Sequence, residues 1–332
     1  MELWTIRVPE TGTAEAQAER VAAAGWDGIA FTDSQNLIGD PFVAIALAAR
    51  AVPDLMFATG VTNAATRHPA ALATLAATVQ EAAGGRFVLG IGRGDTALFH
   101  LGRKPQPVAE FCAAVDCLHA YLAGETVDVN GHPSRIRWLE RATQPTVPID
   151  IASSGPKVIA YAARVAERIT FAIGADPTRV AWAIDQVRAV DRVTPPSLGA
   201  YVTVGCHPDA EAARGLIAGS VAAFAHFSAM PGSTGAGLAD ADRALVAEVG
   251  RRYDSNLHLV NGSPQTSALT DDFVDRFAIV GPPDVCVDRL RALGELGIER
   301  FVITGASFGA DPAAAKLSEQ LLRDEVLPSV RS

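Results

Sequence analysis

The chain has 332 residues, of which 49% are hydrophobic, and its formal net charge at pH 7 is −9. Lysine and arginine are scattered rather than clustered, which argues against a nucleic-acid-binding surface. No run approaches the roughly 18 consecutive apolar residues of a membrane-spanning helix, and the opening residues MELWTIRVPETG form neither a basic leader nor an apolar signal segment. We therefore expect a soluble, cytoplasmic protein whose partners include neither nucleic acid nor membrane.

Short apolar runs of strand type alternate with amphipathic helical stretches in chain order. The predicted strands are 3–8, 28–32, 55–61, 86–92, 147–152, 168–173, 198–205 and 300–305. The predicted helices that follow them are 13–24, 40–51, 68–83, 107–123, 156–166, 177–191, a helix from 208 onward, and 312–327. Strands that are apolar throughout are typical of a parallel sheet buried on both faces. Eight strand–helix units predict an α/β fold, a single (β/α)8 TIM barrel over residues 1–332.

Two stretches interrupt this repeat. Residues 124–146 carry hairpin signals, with Asn130-Gly131 as the turn. Residues 226–276 form a longer excursion with a helical stretch near 240–253. Insertions of this length in a compact domain are usually lids or interfaces.

Cysteine and histidine spacing gives no metal site. Cys112, Cys117 and His119 share one predicted helix, but intervals of five and two residues do not place all three on one helical face. We interpret the thiols as buried side chains and predict that the protein binds no metal.

Three glycines stand at the end of the fourth predicted strand, in the sequence VLGIGRGD. A dinucleotide-binding loop has the pattern G-x-G-x-x-G after the first strand, with an acid about 20 residues further on. Here the third glycine, Gly94, comes one residue early, and the motif lies on the fourth strand, with Gly92 as its last residue and Gly94 just after it. On a barrel these residues lie at the C-terminal rim, where barrels keep their active sites.

Other polar residues follow predicted strands at the same rim. Asp33 ends the second strand and Asp95 follows the fourth, and each has the simpler interpretation of a turn or helix cap. The sequence ASSGPK, which is Ala152, Ser153, Ser154, Gly155, Pro156 and Lys157, precedes a predicted helix. Hydroxyls, a lysine and free amides at a helix start favour a phosphate site over a simple serine cap.

The ordered segments GVTNAATRHPA, VLGIGRGD and ASSGPK…AERITFAIGAD resemble the bacterial luciferase-like superfamily, and in particular its deazaflavin-using branch, which includes methylenetetrahydromethanopterin reductase. The resemblance extends over nearly the whole chain. It implies a (β/α)8 barrel that binds coenzyme F420, an 8-hydroxy-5-deazaflavin, or alternatively FMN, and that usually pairs as a homodimer.

The resemblance also implies roles for individual residues. A non-prolyl cis peptide bond is expected at Gly60–Val61 or at the next bond, with Thr62 and Asn63 lining the cofactor ring. Ser153 to Lys157, together with Gly174 and Ala175, would hold the phosphate. Asp33 and Asp95 are the implied catalytic groups near the reacting end of the ring. Trp4, Phe31, Leu98 and Phe99 are expected to give apolar cover.

Several alternatives remain open at this level. Asp95 could be a general acid, its pKa raised in an apolar pocket, or only a cap. His68, His100, His226 and His258 are further acid–base candidates, although His68 at a helix start suits a structural role. Arg276 is either a phosphate contact or a salt-bridge partner. The reaction is hydride transfer to a small organic substrate, FMN-dependent oxygenation, or the work of a non-redox phosphate-binding barrel.

Overall fold

The computed structural model describes residues 1–233 and 235–331. Residue 234, within the predicted second insertion, and residue 332, at the end of the predicted domain, lie outside the described residues. The strands are β1 (Glu2–Arg7), β2 (Gly28–Phe31), β3 (Met56–Thr59), β4 (Phe87–Ile91), β5 (Val127–Val129), β6 (His132–Ser134), β7 (Ile149–Ser153), β8 (Arg168–Phe171), β9 (Ser197–Cys206), β10 (Ile279–Gly281) and β11 (Arg300–Thr304).

The α-helices alternate with these strands. They are α1 (Ala14–Ala23), α2 (Pro41–Ala51), α3 (Pro69–Ala82), α4 (Thr96–Phe99), α5 (Val108–Leu122), α6 (Pro156–Val165), α7 (Pro177–Arg188), α8 (Ala210–Ala229), α9 (Asp240–Arg252), α10 (Asp271–Phe277), α11 (Pro283–Glu295), α12 (Pro312–Leu321) and α13 (Leu327–Arg331). None of the helices in the described ranges combines the length and apolar character needed to cross a bilayer.

The main sheet has the strand order β10-β9-β11-β1-β2-β3-β4-β7-β8, and β9 also pairs with β8. That last pairing closes a ring of the eight strands predicted from the sequence. The order is that of a parallel (β/α)8 barrel, so the predicted fold class is confirmed. The ninth strand, β10, was not predicted; it pairs with the end of β9, Ile279 opposite Val204.

The described chain divides into two compact units. The N-terminal unit comprises Thr5–Ala152 and Val165–Arg168, and the C-terminal unit comprises Met1–Trp4, Ser153–Arg164 and Ile169–Ser332. The proposal of a single domain over 1–332 is not tested by this division.

In the N-terminal unit, β2, β3, β4 and β7 run parallel, and their residues are buried except for Met56 and Ala152, which are partly exposed. The helices after β2 and β3 begin at proline and have a side-chain cap. Proline suits the first helical position because its missing amide hydrogen would have no partner within the helix there. Asp40 caps α2 through the amides of Phe42 and Val43, and His68 caps α3 through the amide of Ala70. His68 thus has the predicted structural role. The first insertion contains the predicted hairpin, β5 with β6, turning at Asn130-Gly131.

In the C-terminal unit, β9 pairs with β10 on one side and β11 on the other, in parallel. α8 continues to Ala229, so the second insertion begins at residue 230, four residues later than the sequence predicted. The predicted helix near 240–253 is present as α9 (Asp240–Arg252). The C-terminal half of α8 packs against loops that follow strands: Ser154 Oγ, after β7, donates to the Phe227 carbonyl, and the Ser220 amide donates to Ser307 Oγ, after β11.

Candidate active site

The glycines at the end of β4 allow close packing against the turn that follows β3. A Cβ on Gly90 would lie 2.0 Å from the Thr59 carbonyl oxygen, and one on Gly92 would lie 3.1 Å from Cγ2 of Val61. Gly94 has a φ of +77°, in the left-handed region that strains residues with side chains. The glycine pattern therefore serves strand packing and a tight turn, which agrees with its poor match to the dinucleotide-binding pattern.

The Gly60–Val61 peptide bond is cis, at the first of the two bonds that the resemblance implied. After it, Thr62 continues the pairing with β4. The Thr62 amide donates to the Gly90 carbonyl at 2.9 Å, and the Thr62 carbonyl accepts from the Gly92 amide at 2.9 Å. Residues 60–63 are thus fixed against β4 at its C-terminal end.

Asn63 organises the loop that leads into α3. It is 2% exposed, and its Oδ1 accepts from the amides of Ala65 and Thr66 at 3.1 and 3.0 Å. This Asx turn holds the loop in a single conformation.

A buried ion pair connects the loops after β2 and β3. Asp33 Oδ2 accepts from Thr62 Oγ1 and from Arg67 Nη1, both at 2.6 Å. The Asp33 side chain is 1% exposed and that of Arg67 19%. Arg67 Nη2 also reaches Asp40 at 2.8 Å. Burial pulls the pKa of Arg67 down, but hydrogen bonds and charge from Asp33 and Asp40 outweigh it and raise that pKa.

Arg67 is a site residue that the sequence reasoning missed. The signal was present, because Asp33 and Asp40 follow one predicted strand while Arg67 follows its neighbour. Opposite charges at adjacent strand ends of a parallel sheet lie close together. The structure brings Asp33, Thr62 and Arg67 into one network.

Asp95 lies at the N-terminal end of the one-turn helix α4. Its carbonyl accepts from the amides of Leu98 and Phe99, but its carboxylate makes no capping hydrogen bond. The cap interpretation of the side chain is therefore wrong, and a role as an acid stays a prediction. Leu98 is fully buried, whereas Phe99 is 45% exposed, and its role as apolar cover stays a prediction.

In the C-terminal unit, the turn between β7 and α6 has the predicted composition and the predicted helix start. α6 begins at Pro156, and Lys157, in the first turn, is exposed while Ser153 is buried. Ser154 Oγ lies 2.8 Å from Ser233 Oγ. A Cβ on Gly155 would lie 2.4 Å from the Gly232 carbonyl oxygen, so glycine here admits the segment of the second insertion that packs on the turn.

The loop after β8 packs on the end of α10. The Ala175 amide donates to the Phe277 carbonyl at 2.7 Å, and a Cβ on Gly174 would lie 2.7 Å from the same oxygen. Nearby, Arg276 pairs with Asp242 at 2.6 Å, so it is a salt-bridge partner in this structure.

Arg179 is a second residue that the sequence reasoning missed. It is fully buried, and Nη1 donates to the Ile173 carbonyl and to Ser228 Oγ at 2.8 and 2.9 Å, while Nε reaches the Ala236 carbonyl at 3.2 Å. Burial lowers its pKa to about 10, against the opposing charge of Asp176. Among the described residues, Nη2 has no hydrogen-bond partner.

α7 also presents a second side chain to the insertion. A Cβ on Gly237 would lie 2.7 Å from Cδ2 of the Trp182 indole. Arg179 and Trp182 therefore hold residues 236–237 from one helix face.

The luciferase-like monooxygenase family model matches residues 7–300. The 5,10-methylenetetrahydromethanopterin reductase of Methanolobus tindarius is 27% identical over 301 residues, which are 88% of this chain and 89% of that protein.

Two solved structures share the fold. The coenzyme F420-dependent tetrahydromethanopterin reductase from Methanopyrus kandleri gives a TM-score of 0.72 at 18% identity and covers 98% of each chain. The oxygenating constituent of the 3,6-diketocamphane monooxygenase of Pseudomonas putida, in complex with FMN, gives a TM-score of 0.66 at 18% identity, with 99% of this chain and 98% of that chain covered. Because the family model matches most of the chain, the protein belongs to the luciferase-like monooxygenase family, within a superfamily of oxidoreductases.

Proposed function

We propose that this protein transfers a hydride between coenzyme F420 and a small organic substrate. The observation that carries the proposal is the 27% identity, over 301 residues, to a methylenetetrahydromethanopterin reductase. It is supported by the similarity in fold to a tetrahydromethanopterin reductase that is F420-dependent. When bound, the deazaflavin supplies or accepts the hydride, and the chain must bind it, orient it and manage one proton.

In the N-terminal unit, Gly60, Val61, Thr62, Asn63, Gly92 and Gly94 would contact the ring. The fit is favourable at Gly92, where glycine leaves open a space that a Cβ would fill beside Val61 and 3.9 Å from Cβ of Ala152. Asp33 accepts two short hydrogen bonds in this structure, so its role in the proposal is to fix Thr62 and Arg67 rather than to donate a proton.

In the C-terminal unit, two loops would hold the phosphate. The first follows Ala152 and consists of Ser153, Ser154, Gly155, Pro156 and Lys157, and the second contains Gly174 and Ala175. The donor set suits an anion, because a helix N-terminus presents amides and positive potential beside a hydroxyl and an exposed ammonium. Arg179 provides a buried cationic donor in the same unit, because its Nη2 has no hydrogen-bond partner among the described residues. Nη1 of the same side chain donates to the carbonyl of Ile173, the residue before Gly174. A phosphate oxygen would satisfy a donor of that kind.

A second candidate function is FMN-dependent oxygenation with flavin reduced elsewhere. The description of the matching family model favours it, as does the FMN complex of a structural neighbour. A non-redox reaction through a Schiff base has no such support, since Lys104, Lys157 and Lys316 all lie outside the strands. A homodimer remains a prediction.

Titration of the purified protein with each cofactor distinguishes the two redox candidates. We expect the absorbance and fluorescence of oxidised F420 to change on binding, with a dissociation constant at least about tenfold lower than that for FMN, a difference of about 1.4 kcal/mol. Gly92→Ala should weaken F420 binding because the new methyl fills the space beside Val61. Gly12→Ala, which meets no atom within 4 Å, is the matched control. Preferential binding of FMN would favour oxygenation, and binding of neither would refute both.

Asp95→Asn tests the proton-donor role in the proposed reaction. We expect at least about a hundredfold fall in turnover, which is the usual loss when a general acid is removed, with F420 affinity within about threefold of wild type. Steady-state kinetics with a substrate that the wild-type enzyme turns over gives the first quantity, and an F420 titration of each protein gives the second. An Asp95→Asn enzyme that turns over normally would exclude the role.

A further inference from the structure

Two of the four cysteines lie against one another at the end of strand β9. Cys206 is the last residue of β9 and Cys286 lies in the first turn of α11, and both are fully buried. Their thiols are hydrogen-bonded to each other, and both are free cysteines. The C-terminal unit therefore contains a buried pair of thiols in contact.

The pairing of β9 with β10 accounts for this proximity. Cys206 stands opposite Gly281 in the parallel ladder, so a side chain at either position would point to the same face of the sheet. Gly281 has no side chain, and the first turn of α11 lies over it: a Cβ there would be 3.2 Å from Cγ1 of Val285. Sγ of Cys286 lies 3.5 Å from the Gly281 carbonyl oxygen. α11 thus brings its thiol beside the end of β9.

Hydrogen bonds fix the backbone on both sides of the thiol pair. The Cys206 amide donates to Ser318 Oγ, on α12, at 3.2 Å. The Gly281 carbonyl accepts from the His207 amide at 2.9 Å as well as from the Cys286 thiol. The contact between the two sulfurs is therefore set by the packing of β9, β10, α11 and α12 within one unit.

We propose that Cys206 and Cys286 form a reversible disulfide when the protein meets a peroxide, and that this cross-link fixes α11 to the end of β9. The hydrogen bond with Cys206 and burial raise the pKa of the Cys286 thiol, which keeps that thiol protonated and slow to react. The pair therefore persists as thiols in reducing surroundings. Peroxide reaches it by local opening at the start of α11, where Asp284 and Val285 are exposed.

The reaction balances with hydrogen peroxide as the two-electron oxidant. The Cys286 sulfur attacks one peroxide oxygen, the O–O bond breaks, and the products are a sulfenic acid and water. The Cys206 sulfur then attacks the sulfenic sulfur, which expels a second water and closes the S–S bond. Two S–H bonds are lost and the two sulfurs together give up two electrons. An added dithiol reverses the reaction by thiol–disulfide exchange.

The cross-link would act on a helix that holds the loop after β8. Arg289, one turn along α11 from Cys286, donates to the Asp275 carbonyl at 2.9 Å and to the carbonyls of Ala278 and Ala175 at 3.2 Å. Fixing the start of α11 therefore restrains the helix whose guanidinium holds these carbonyls. We expect the oxidised protein to open less often in this region, since local opening there requires α11 to move.

The test uses the full-length chain with Cys112→Ser and Cys117→Ser, which leaves only the proposed pair of thiols. Cys112 and Cys117 are five residues apart on α5, so their Cα atoms are about 8.6 Å apart on an ideal helix and cannot be bridged. After treatment with hydrogen peroxide and alkylation in denaturant, we expect the intact mass to fall by about 2 Da with no cysteine alkylated. Dithiothreitol should restore both thiols.

The same samples give the effect of the cross-link on the fold. We expect the oxidised protein to have a Tm about 5 °C above that of the reduced protein, because a cross-link between residues distant in the chain restricts the unfolded state. Hydrogen exchange should slow in the peptides that contain α11 and Ala175. Cys286→Ala in the same background should show neither the loss of mass nor the rise in Tm.

Three results would overturn the proposal. The first is a gain of about 16 or 32 Da, which marks sulfenic or sulfinic acid without a cross-link. The second is a pair of thiols that stay alkylatable after peroxide, or that become linked only in denaturant. The third is fully cross-linked protein with an unchanged Tm and unchanged hydrogen exchange in α11. None of these measurements uses F420, so their outcome is independent of the proposed function.

Discussion

Gly90→Ala is expected to destabilise the protein by about 3 kcal/mol or more, because the new Cβ would meet a carbonyl oxygen that cannot move independently of its strand. The contact would be 2.0 Å from the oxygen and 3.1 Å from the carbon of the Thr59 carbonyl. The same carbonyl segment leads directly into the turn at Gly60–Val61. Chemical denaturation followed by circular dichroism gives the free energy of unfolding.

Two further glycine substitutions calibrate that result. Gly12→Ala places a Cβ in open space and should change stability by less than about 1 kcal/mol. Gly92→Ala meets a side-chain methyl at 3.1 Å, which can shift, so its cost should fall between the other two. If Gly90→Ala were as stable as Gly12→Ala, the packing of β3 on β4 would differ from that described.

The second large effect concerns the ion pair between Asp33 and Arg67. Removing either partner leaves a charge buried with too few partners, which typically costs about 3–5 kcal/mol. We therefore expect Arg67→Met and Asp33→Asn each to destabilise strongly. The double variant should cost less than the sum, with a coupling energy of at least about 2 kcal/mol in a double-mutant cycle.

The neighbouring pair, Arg67 with Asp40, supplies the matched comparison within the same cycle. Asp40 has a side chain that is 40% exposed, and exposed pairs contribute about 0–1 kcal/mol. Asp40→Asn preserves the side-chain oxygen that caps α2. Its effect on the free energy of unfolding therefore reports the loss of the negative charge alone. A coupling for Asp33 no larger than that for Asp40 would mean that the buried pair does not stabilise the loops after β2 and β3.

Most of the barrel could be predicted from the sequence because its strands are apolar throughout and its helices begin at marked positions. Pro41, Pro69, Pro156, Pro177 and Pro312 each begin the helix that follows a strand or loop. The strand β10 could not be predicted, since three residues carry no usable periodicity and its pairing depends on the distant end of β9.

The candidate site was predictable in its backbone and less so in its side-chain partners. The segments at 60–63, 92–95 and 153–157 follow strands and are rich in glycine or polar residues, so sequence order alone places them at strand ends. Arg67 and Arg179 escaped notice because their partners are distant in the chain: Asp33 is 34 residues from Arg67, and Ser228 is 49 residues from Arg179. The exposure of Phe99 could not be predicted, because a one-turn helix gives no amphipathic pattern that would orient its side chain.

The contacts of α7 with residues 236–237 have a practical consequence for chimeras made with related proteins. Arg179 binds the Ala236 carbonyl and Trp182 lies against Gly237. A second insertion transplanted from a relative would therefore lack these contacts unless α7 of that relative were transplanted with it. Chimeras that exchange both segments together should therefore remain folded. Chimeras that exchange the insertion alone would leave the buried guanidinium of Arg179 without its partner in the insertion.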